Sequence, residues 1–197
     1  MTVMAYRIFF PITRSHLSSW RLYSRISKIM SPSKLDYYWR DYTGEIPDDA
    51  VPGGYDRNLE PTYIGQLFVI NHGLLPARIY KGQKSVTASR YGIHSSCECI
   101  KILCSPDLHK FVWLPSTAAT LHTDAIGKHL VIGGYENGKV LNIGRGSYQE
   151  EVIVGKVCGF NIGSALLYFP YKGKELDMKS YEVLVYDINA VGDIDVR

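Results

Sequence analysis

Residues 129–144 read HLVIGGYENGKVLNIG and contain the pattern that decides the fold. Apolar stretches flank Asn137 and Gly138 on both sides. Asn-Gly between such stretches is the strongest short-range signal for a two-residue hairpin, because a type I′ turn needs positive φ at both central positions. The segment therefore predicts a β-hairpin with Glu136 beside its tip.

The pattern around this hairpin occurs a second time, earlier in the chain. Residues 53–56 read GGYD and are followed by YIGQ at 63–66, just as GGYE at 133–136 is followed by NIGR at 142–145. The two copies stand about 80 residues apart, which is longer than the roughly 20 to 50 residues of a solenoid unit. We therefore predict a tandem duplication, in which two β units related by a pseudo-two-fold axis pack their apolar faces together.

A further correspondence joins the ends of the two copies. The strand-like stretches at 97–102 and 181–186 follow the other landmarks in the same order. Aligning these stretches sets Glu98 against Glu182. We predict that they form equivalent strands of the two repeats.

The chain is expected to be all-β apart from its beginning. Of its 197 residues, 46% are apolar, and no stretch approaches the roughly 18 apolar residues of a membrane span. We predict a basic N-terminal extension (1–35), a first repeat (36–110), a second repeat (111–187) and a tail (188–197). The predicted fold is therefore a pair of antiparallel β repeats that share a core, preceded by a basic amphipathic helical extension.

The N-terminal extension carries the one helical pattern. Within residues 15–31, apolar side chains recur at helical spacing beside a basic stripe, and residues 1–35 hold six basic side chains and no acidic one. Three interpretations stay open: a mitochondrial transit peptide, a helix on an anionic membrane surface, or a poorly ordered extension. Without mitochondrial import we expect the protein in the cytoplasm, including on vesicles.

Charge and cysteine content argue against several classes of protein. Six of the 22 basic residues lie in 1–35, which leaves 16 basic against 19 acidic residues in the remainder. Such a region lacks the basic face that nucleic acid requires. Cys97 and Cys99 are expected on one face of a strand, too far apart for easy bridging. Because the four cysteines match no usual zinc-ligand spacing, we predict neither a disulfide framework nor a metal site.

The chain offers no recognisable catalytic or cofactor motif. Its histidines are scattered, and no Ser-His-acid or Cys-His arrangement has a familiar context. The Gly-Gly pairs lie in predicted hairpins instead of the strand-to-helix turn that binds dinucleotides. We therefore predict a protein that is not an enzyme and takes no cofactor.

The candidate binding residues are a repeated acid and a repeated base. Asp56 precedes Arg78 in the first copy and Glu136 precedes Lys156 in the second, with about twenty residues between acid and base. A carboxylate accepts hydrogen bonds from neighbouring hydroxyls and a cation donates to hydroxyl or ring oxygens, so the pair suits a sugar. The alternative is two surface salt bridges of little energetic weight. Nearby tyrosines offer ring faces for a sugar: Tyr55, Tyr63 and Tyr135.

Taken together, these segments resemble the tandem DM-nine repeat proteins, a module also found in natterin-type proteins and in lectin-like proteins of insects and molluscs. The resemblance covers about residues 37 to 187. It rests on the following segments in order: Trp39 with Gly44 and Pro47, then 50–56, 63–65, 76–79, 133–136, 143–145, 155–157 and 181–184.

The resemblance implies an all-β fold of two intertwined repeats, a homodimer, and binding of mannose-type glycans on microbial or cell surfaces in innate defence or stress response. In the family, the acid after Gly-Gly and the lysine of a Pro-Gly-Lys motif contact the sugar. These positions are Asp56 with Arg78 and Glu136 with Lys156, and Ala77 replaces the glycine before the first base. The competing interpretation is an intracellular scaffold or vesicle-trafficking protein whose repeats make protein contacts.

Overall fold

The structure is a computed structural model that describes residues 36–190. The helix predicted within 15–31 lies outside these described residues. Helical structure in 36–190 is confined to a 3₁₀ turn (Leu108–Lys110) and one α-helical turn, α1 (Leu121–Asp124). No helix in this part of the chain is long and apolar enough to cross a membrane.

Antiparallel strands make up most of the described chain. In the first repeat they are β1 (Tyr38–Asp41), β2 (Pro52–Tyr55), β3 (Pro61–Val69), β4 (Gly73–Tyr80), β5 (Val86–Ser89), β6 (Ile93–Ser96) and β7 (Ile100–Cys104). In the second they are β8 (Phe111–Thr117), β9 (His129–Leu130), β10 (Ile132–Glu136), β11 (Lys139–Tyr148), β12 (Glu151–Cys158), β13 (Leu166–Tyr171), β14 (Lys174–Met178) and β15 (Ser180–Tyr186).

The hairpin predicted from Asn-Gly is confirmed. Strands β10 and β11 pair up to the turn, where Glu136 lies opposite Lys139. Asn137 and Gly138 between them have φ values of 49° and 73°. Both central residues thus adopt the left-handed conformation that the type I′ turn requires.

The strand pairing has a pseudo-two-fold pattern. In the first repeat β3 pairs with β2, β4 and β7, and in the second β11 pairs with β10, β12 and β15. The repeats join where β2 meets β12, with Tyr55 opposite Val152, and where β10 meets β4, with Tyr135 opposite Leu74. The all-β, intertwined architecture is therefore confirmed.

The contacts at these two junctions explain why the Gly-Gly motif is repeated. A Cβ atom added at Gly54 would lie 2.3 Å from the carbonyl oxygen of Val152, and one at Gly134 would lie 2.0 Å from that of Leu74. Any side chain there would push the repeats apart. The second glycine of each pair is thus required by the close approach of two backbones.

The core is divided into three apolar clusters, and the middle one belongs to both repeats. Val51, Ile64 and Leu103 of the first repeat pack there with Trp113, Val154 and other residues of the second. The flanking clusters lie mainly within the first and the second repeat respectively. Burial of this shared apolar cluster is what holds the two repeats together.

One part of the predicted strand pattern is wrong. The stretch 97–102 is not one strand, because a loop at residues 97–99 separates β6 from β7. Cys97 and Cys99 are therefore exposed in a loop and share no strand face. Gln66 and Arg145 hold equivalent places in the two repeats. Lys101 lies opposite Gln66, and Glu182 lies opposite Arg145. The structural equivalent of Glu182 is therefore Lys101 and not Glu98.

Candidate functional site

Two cavities of nearly equal size lie beside the repeated bases. Cavity A, about 460 Å³, contains Arg78 of β4, and cavity B, about 450 Å³, contains Lys156 of β12. Arg78 stands four residues after Leu74, and Lys156 stands four residues after Val152, where the repeats join. The two cavities are therefore related by the pseudo-two-fold pattern of the sheet, and their volumes fall in the usual range of small-molecule sites.

Each cavity is built from both repeats. The tip of the β13–β14 hairpin, with Tyr171 and Lys172, closes cavity A around the first repeat's Arg78. The tip of the β5–β6 hairpin, with Arg90 and Tyr91, closes cavity B around the second repeat's Lys156. The base of one repeat is thus covered by the hairpin of the other.

Cavity B holds a buried cluster of two acids and two bases. The Lys156 ammonium lies 3.1 Å from a carboxylate oxygen of Glu136 and 3.2 Å from one of Glu175. The other Glu136 oxygen pairs with Arg90 at 2.5 Å, and both Glu136 and Lys156 are only 3% exposed. The predicted proximity of Glu136 and Lys156 is therefore observed, in a buried setting where ion pairs are weakly screened.

Aromatic rings complete the wall of cavity B. The Arg90 guanidinium carbon lies 3.8 Å from the centre of the Tyr91 ring, and the Lys156 ammonium lies 5.7 Å from that of Tyr168. Burial raises the pKa of the Tyr168 phenol, and it raises the pKa of the Cys158 thiol to about 12, although Lys156 opposes the shift at Cys158. Both groups therefore stay neutral near pH 7, and the phenol retains its proton for donation.

Cavity A has a different arrangement around its base. Arg78 donates to a Glu151 oxygen at 2.7 Å, and the other Glu151 oxygen lies 3.3 Å from Nε of Arg57. Arg57 also donates to the hydroxyl of Tyr171. The Arg78 guanidinium carbon lies 4.5 Å from the centre of the Tyr80 ring. A single carboxylate is therefore shared by two guanidinium groups.

The structure does not bring Asp56 and Arg78 together as an ion pair. One Asp56 oxygen accepts backbone hydrogen bonds from Asn58 at 2.8 Å and from Glu60 at 3.0 Å, so this carboxylate closes its own turn. Asp56 lines a separate cavity of about 210 Å³, on which Tyr80 also borders. The expected contact fails because Glu151, at the start of β12, occupies the place beside Arg78.

Several residues of the two cavities were not identified from the sequence. Glu151 aligns with Gly73 in the other repeat, because Val152 and Leu74 hold equivalent places, so no repeated pattern marks it. Glu175 and Arg90 reach cavity B from hairpins whose position sequence spacing does not reveal. The predicted tyrosines Tyr55, Tyr63 and Tyr135 line neither cavity. The tyrosines in the linings are Tyr80 and Tyr171 in cavity A and Tyr91 and Tyr168 in cavity B.

What the cavities can do chemically follows from their donors and acceptors. Each presents a carboxylate, a buried cation and an aromatic ring at a concave surface. Among residues 36–190, no group of three or more His, Cys, Asp or Glu side chains could hold a metal ion. The geometry suits a ligand that carries hydroxyls together with an apolar face.

Comparison with known proteins adds to this geometry. The DM9 repeat family matches residues 68–175, which is more than half of the chain. No curated protein matches significantly. Among solved structures, the crystal structure of the nematode sperm cell motility protein MFP2B is similar, with a TM-score of 0.54 and 14% sequence identity. The match covers 86% of this chain and 53% of that one, so the chain spans about half the length of that protein. At this identity the likeness shows the fold alone.

Proposed function

Because the chain belongs to the DM9 repeat family, we propose that it is a lectin-like protein that binds carbohydrate in cavities A and B. The observation that carries the proposal is the buried ion pair beside an aromatic ring at the wall of each cavity. An isolated surface salt bridge would contribute little and would need no concave surroundings. A pair placed at a cavity, twice in one chain, favours binding.

The chemistry of cavity B illustrates the mode of binding that we propose. Carboxylate oxygens of Glu136 and Glu175 accept hydrogen bonds from neighbouring sugar hydroxyls, and Lys156 donates to a hydroxyl or ring oxygen. The Tyr168 ring offers a face to the C–H side of the sugar. Binding requires no covalent chemistry, and the protein acts without catalysis.

The finer part of the proposal concerns the sugar and its setting. We propose mannose-type glycans on microbial or cell surfaces, recognised in innate defence or stress response. One cavity binds a monosaccharide weakly, and two cavities in one chain, doubled in a homodimer, gain affinity by effective concentration on a multivalent surface. Multivalent glycans are accordingly the preferred ligands.

A glycan array with the full chain tests this function. We expect binding to mannose-type glycans and its loss in the double variant Glu136→Gln, Glu151→Gln, which keeps side-chain size but removes one carboxylate from each cavity. Because these positions are buried, a second variant, Tyr168→Leu with Tyr171→Leu, removes the half-buried rings and preserves the charges. Lys128→Gln, at an exposed residue that lines neither cavity, is the control. Absence of binding to every glycan, or unchanged binding in both double variants, would refute the proposal.

A second candidate function, protein contact by a scaffold or trafficking protein, is favoured by an exposed apolar row. Val140, Tyr135, Leu74 and Phe68 are successive cross-strand partners on β11, β10, β4 and β3. Three of them are 42 to 51% exposed, and partners on adjacent strands point to the same face. The row is therefore a continuous apolar strip across four strands.

Light scattering on the full chain and on the variant Phe68→Ser, Tyr135→Ser tests whether the row makes protein contacts between two copies of the chain. If the row joins two copies, the wild-type chain is a dimer and the variant is a monomer that still binds glycans. A monomeric wild-type chain, or a variant that remains dimeric, contradicts a role of the row in self-association.

A further inference from the structure

The two cavities differ in charge although the fold makes them equivalent. Cavity A is lined by three bases, Arg57, Arg78 and Lys172, and by the single acid Glu151. Two of the bases share that acid, at 2.7 and 3.3 Å. One carboxylate balances one positive charge, so the lining of cavity A carries an excess of two positive charges.

In cavity B the charges are more evenly matched. Arg90 and Lys156 face Glu136 and Glu175, and Lys156 lies within 3.2 Å of both carboxylates. The remaining base of the lining, Lys139, lies with its ammonium 4.9 Å from the centre of the Phe160 ring. The cluster of two acids and two bases is therefore neutral, whereas the whole lining, with Lys139, carries an excess of one positive charge, one fewer than cavity A. An anionic ligand would approach the two carboxylates of cavity B at a cost.

The surroundings of cavity A reduce its positive charge but do not cancel it. The adjoining small cavity, which also borders on Tyr80, contains Asp56 and Glu60 together with Lys81. Cavity A and the small cavity together contain four bases and three acids. An excess positive charge therefore remains, and the acids of the small cavity are held apart from Arg78 by the turn that Asp56 closes.

The donors of cavity A are accessible and suited to an oxyanion. The Arg57 side chain is 43% exposed and contacts Glu151 and the Tyr171 hydroxyl, which leaves some of its five N–H donors for a ligand. The lining also contains hydroxyls, among them Oγ1 of Thr87 and Oγ of Ser95, which lie 2.9 Å apart. A planar guanidinium beside hydroxyl donors matches the oxygens of sulfate, phosphate or carboxylate.

We propose that cavity A selects the anionic substituent of a glycan, a sulfate, phosphate or carboxylate group, whereas cavity B takes neutral sugar. This inference rests on the proposed carbohydrate function and assigns different ligand classes to its two sites. Arg57 is the residue that distinguishes them, because its counterpart at the other hairpin tip is the uncharged Asn137, which lines cavity B.

Isothermal titration calorimetry on the full chain tests the inference with mannose, mannose 6-sulfate, mannose 6-phosphate, mannuronic acid, inorganic sulfate and inorganic phosphate. We expect the charged sugars to bind about tenfold more tightly than mannose at low salt, as one charge-assisted hydrogen bond allows. Within Arg57→Gln, the ratio of charged-sugar to mannose affinity should fall to about one, and Arg57→Lys should retain part of the advantage. Lys128→Gln, which removes the same charge at a distance, is the control.

The outcomes separate the two claims. Equal affinity for neutral and charged sugars, or an advantage that survives in Arg57→Gln, overturns the inference and leaves the carbohydrate function standing. If no sugar binds, the proposed function fails together with the inference. If inorganic phosphate or sulfate binds but no sugar does, the proposed function and the inference are both overturned, because the site then recognises a free anion. If the affinity advantage of the charged sugars decreases when the salt concentration is raised from 50 to 300 mM, this supports its electrostatic origin.

Discussion

Replacing Glu136 by glutamine should destabilise the protein far more than replacing Asp56, the equivalent acid of the first repeat, by asparagine. Glu136 is 3% exposed and contacts two cations, Arg90 at 2.5 Å and Lys156 at 3.1 Å. Removing one charge from such a buried cluster typically costs about 3 to 5 kcal/mol. Because Lys156 keeps Glu175 at 3.2 Å, we expect the lower end, ~3 kcal/mol, for Glu136→Gln.

The matched substitution is Asp56→Asn at the equivalent position. Asp56 uses one oxygen to accept two backbone hydrogen bonds, and asparagine keeps such an oxygen. We therefore expect a loss of at most about 1 kcal/mol there, the difference between a charged and a neutral acceptor. The contrast between these two changes depends only on the setting of each acid.

Chemical denaturation followed by circular dichroism measures both free energies of unfolding. A loss of ~3 kcal/mol corresponds to a fall in Tm of about 6 to 12 °C for a chain of this size. Equal losses in the two variants, or a larger loss in Asp56→Asn, would show that Glu136 has no special buried role. The description of cavity B would then be incorrect.

Three further outcomes are expected. Gly134→Ala should lower the free energy of unfolding by at least about 2 kcal/mol, because the added methyl would lie 2.0 Å from a carbonyl oxygen. Gly159→Ala, where the nearest neighbour would lie 3.5 Å away, should lower it by less than half as much. Denaturant titration compares the two variants. Burial raises the pKa of Cys158 from 9.0 to about 12, so at pH 8 it should carry ~1,000-fold less thiolate than an unshifted thiol. Mass spectrometry should therefore detect alkylation of Cys158 long after that of the exposed Cys97. Asn137→Val should cost about 1 to 2 kcal/mol because φ is 49° there, and recovery in Asn137→Gly checks this cause.

The fold was largely predictable because its decisive signals can be read from short stretches of sequence. The type I′ turn at Asn137 depends on backbone conformation within a few residues. The Gly-Gly pairs serve contacts between the repeats, but their repetition marks them in the sequence. The break between β6 and β7 was missed, since the apolar pattern of 97–102 continues through a loop in which Cys99 has positive φ. Local pattern alone does not report such an interruption.

The site was less predictable because its contacts join distant parts of the chain. Glu136 and Lys156 lie twenty residues apart within one repeat, and their contact was expected from this repeated spacing. Arg78 and Glu151 are separated by 73 residues and belong to different repeats. Spacing within a copy could therefore indicate Asp56 as the partner of Arg78, but it could not reveal that the other repeat supplies the acid.

The exchange of hairpins between the repeats has a consequence for synthesis on the ribosome. Cavity A contains Arg78 but is closed by the hairpin that carries Tyr171, and cavity B needs Arg90 from the half that is translated first. A nascent chain that ends before β13 therefore exposes half-formed surfaces of both cavities and completes neither. Both can form only after the β13–β14 hairpin has left the exit tunnel, and contacts between such distant residues are slow to form.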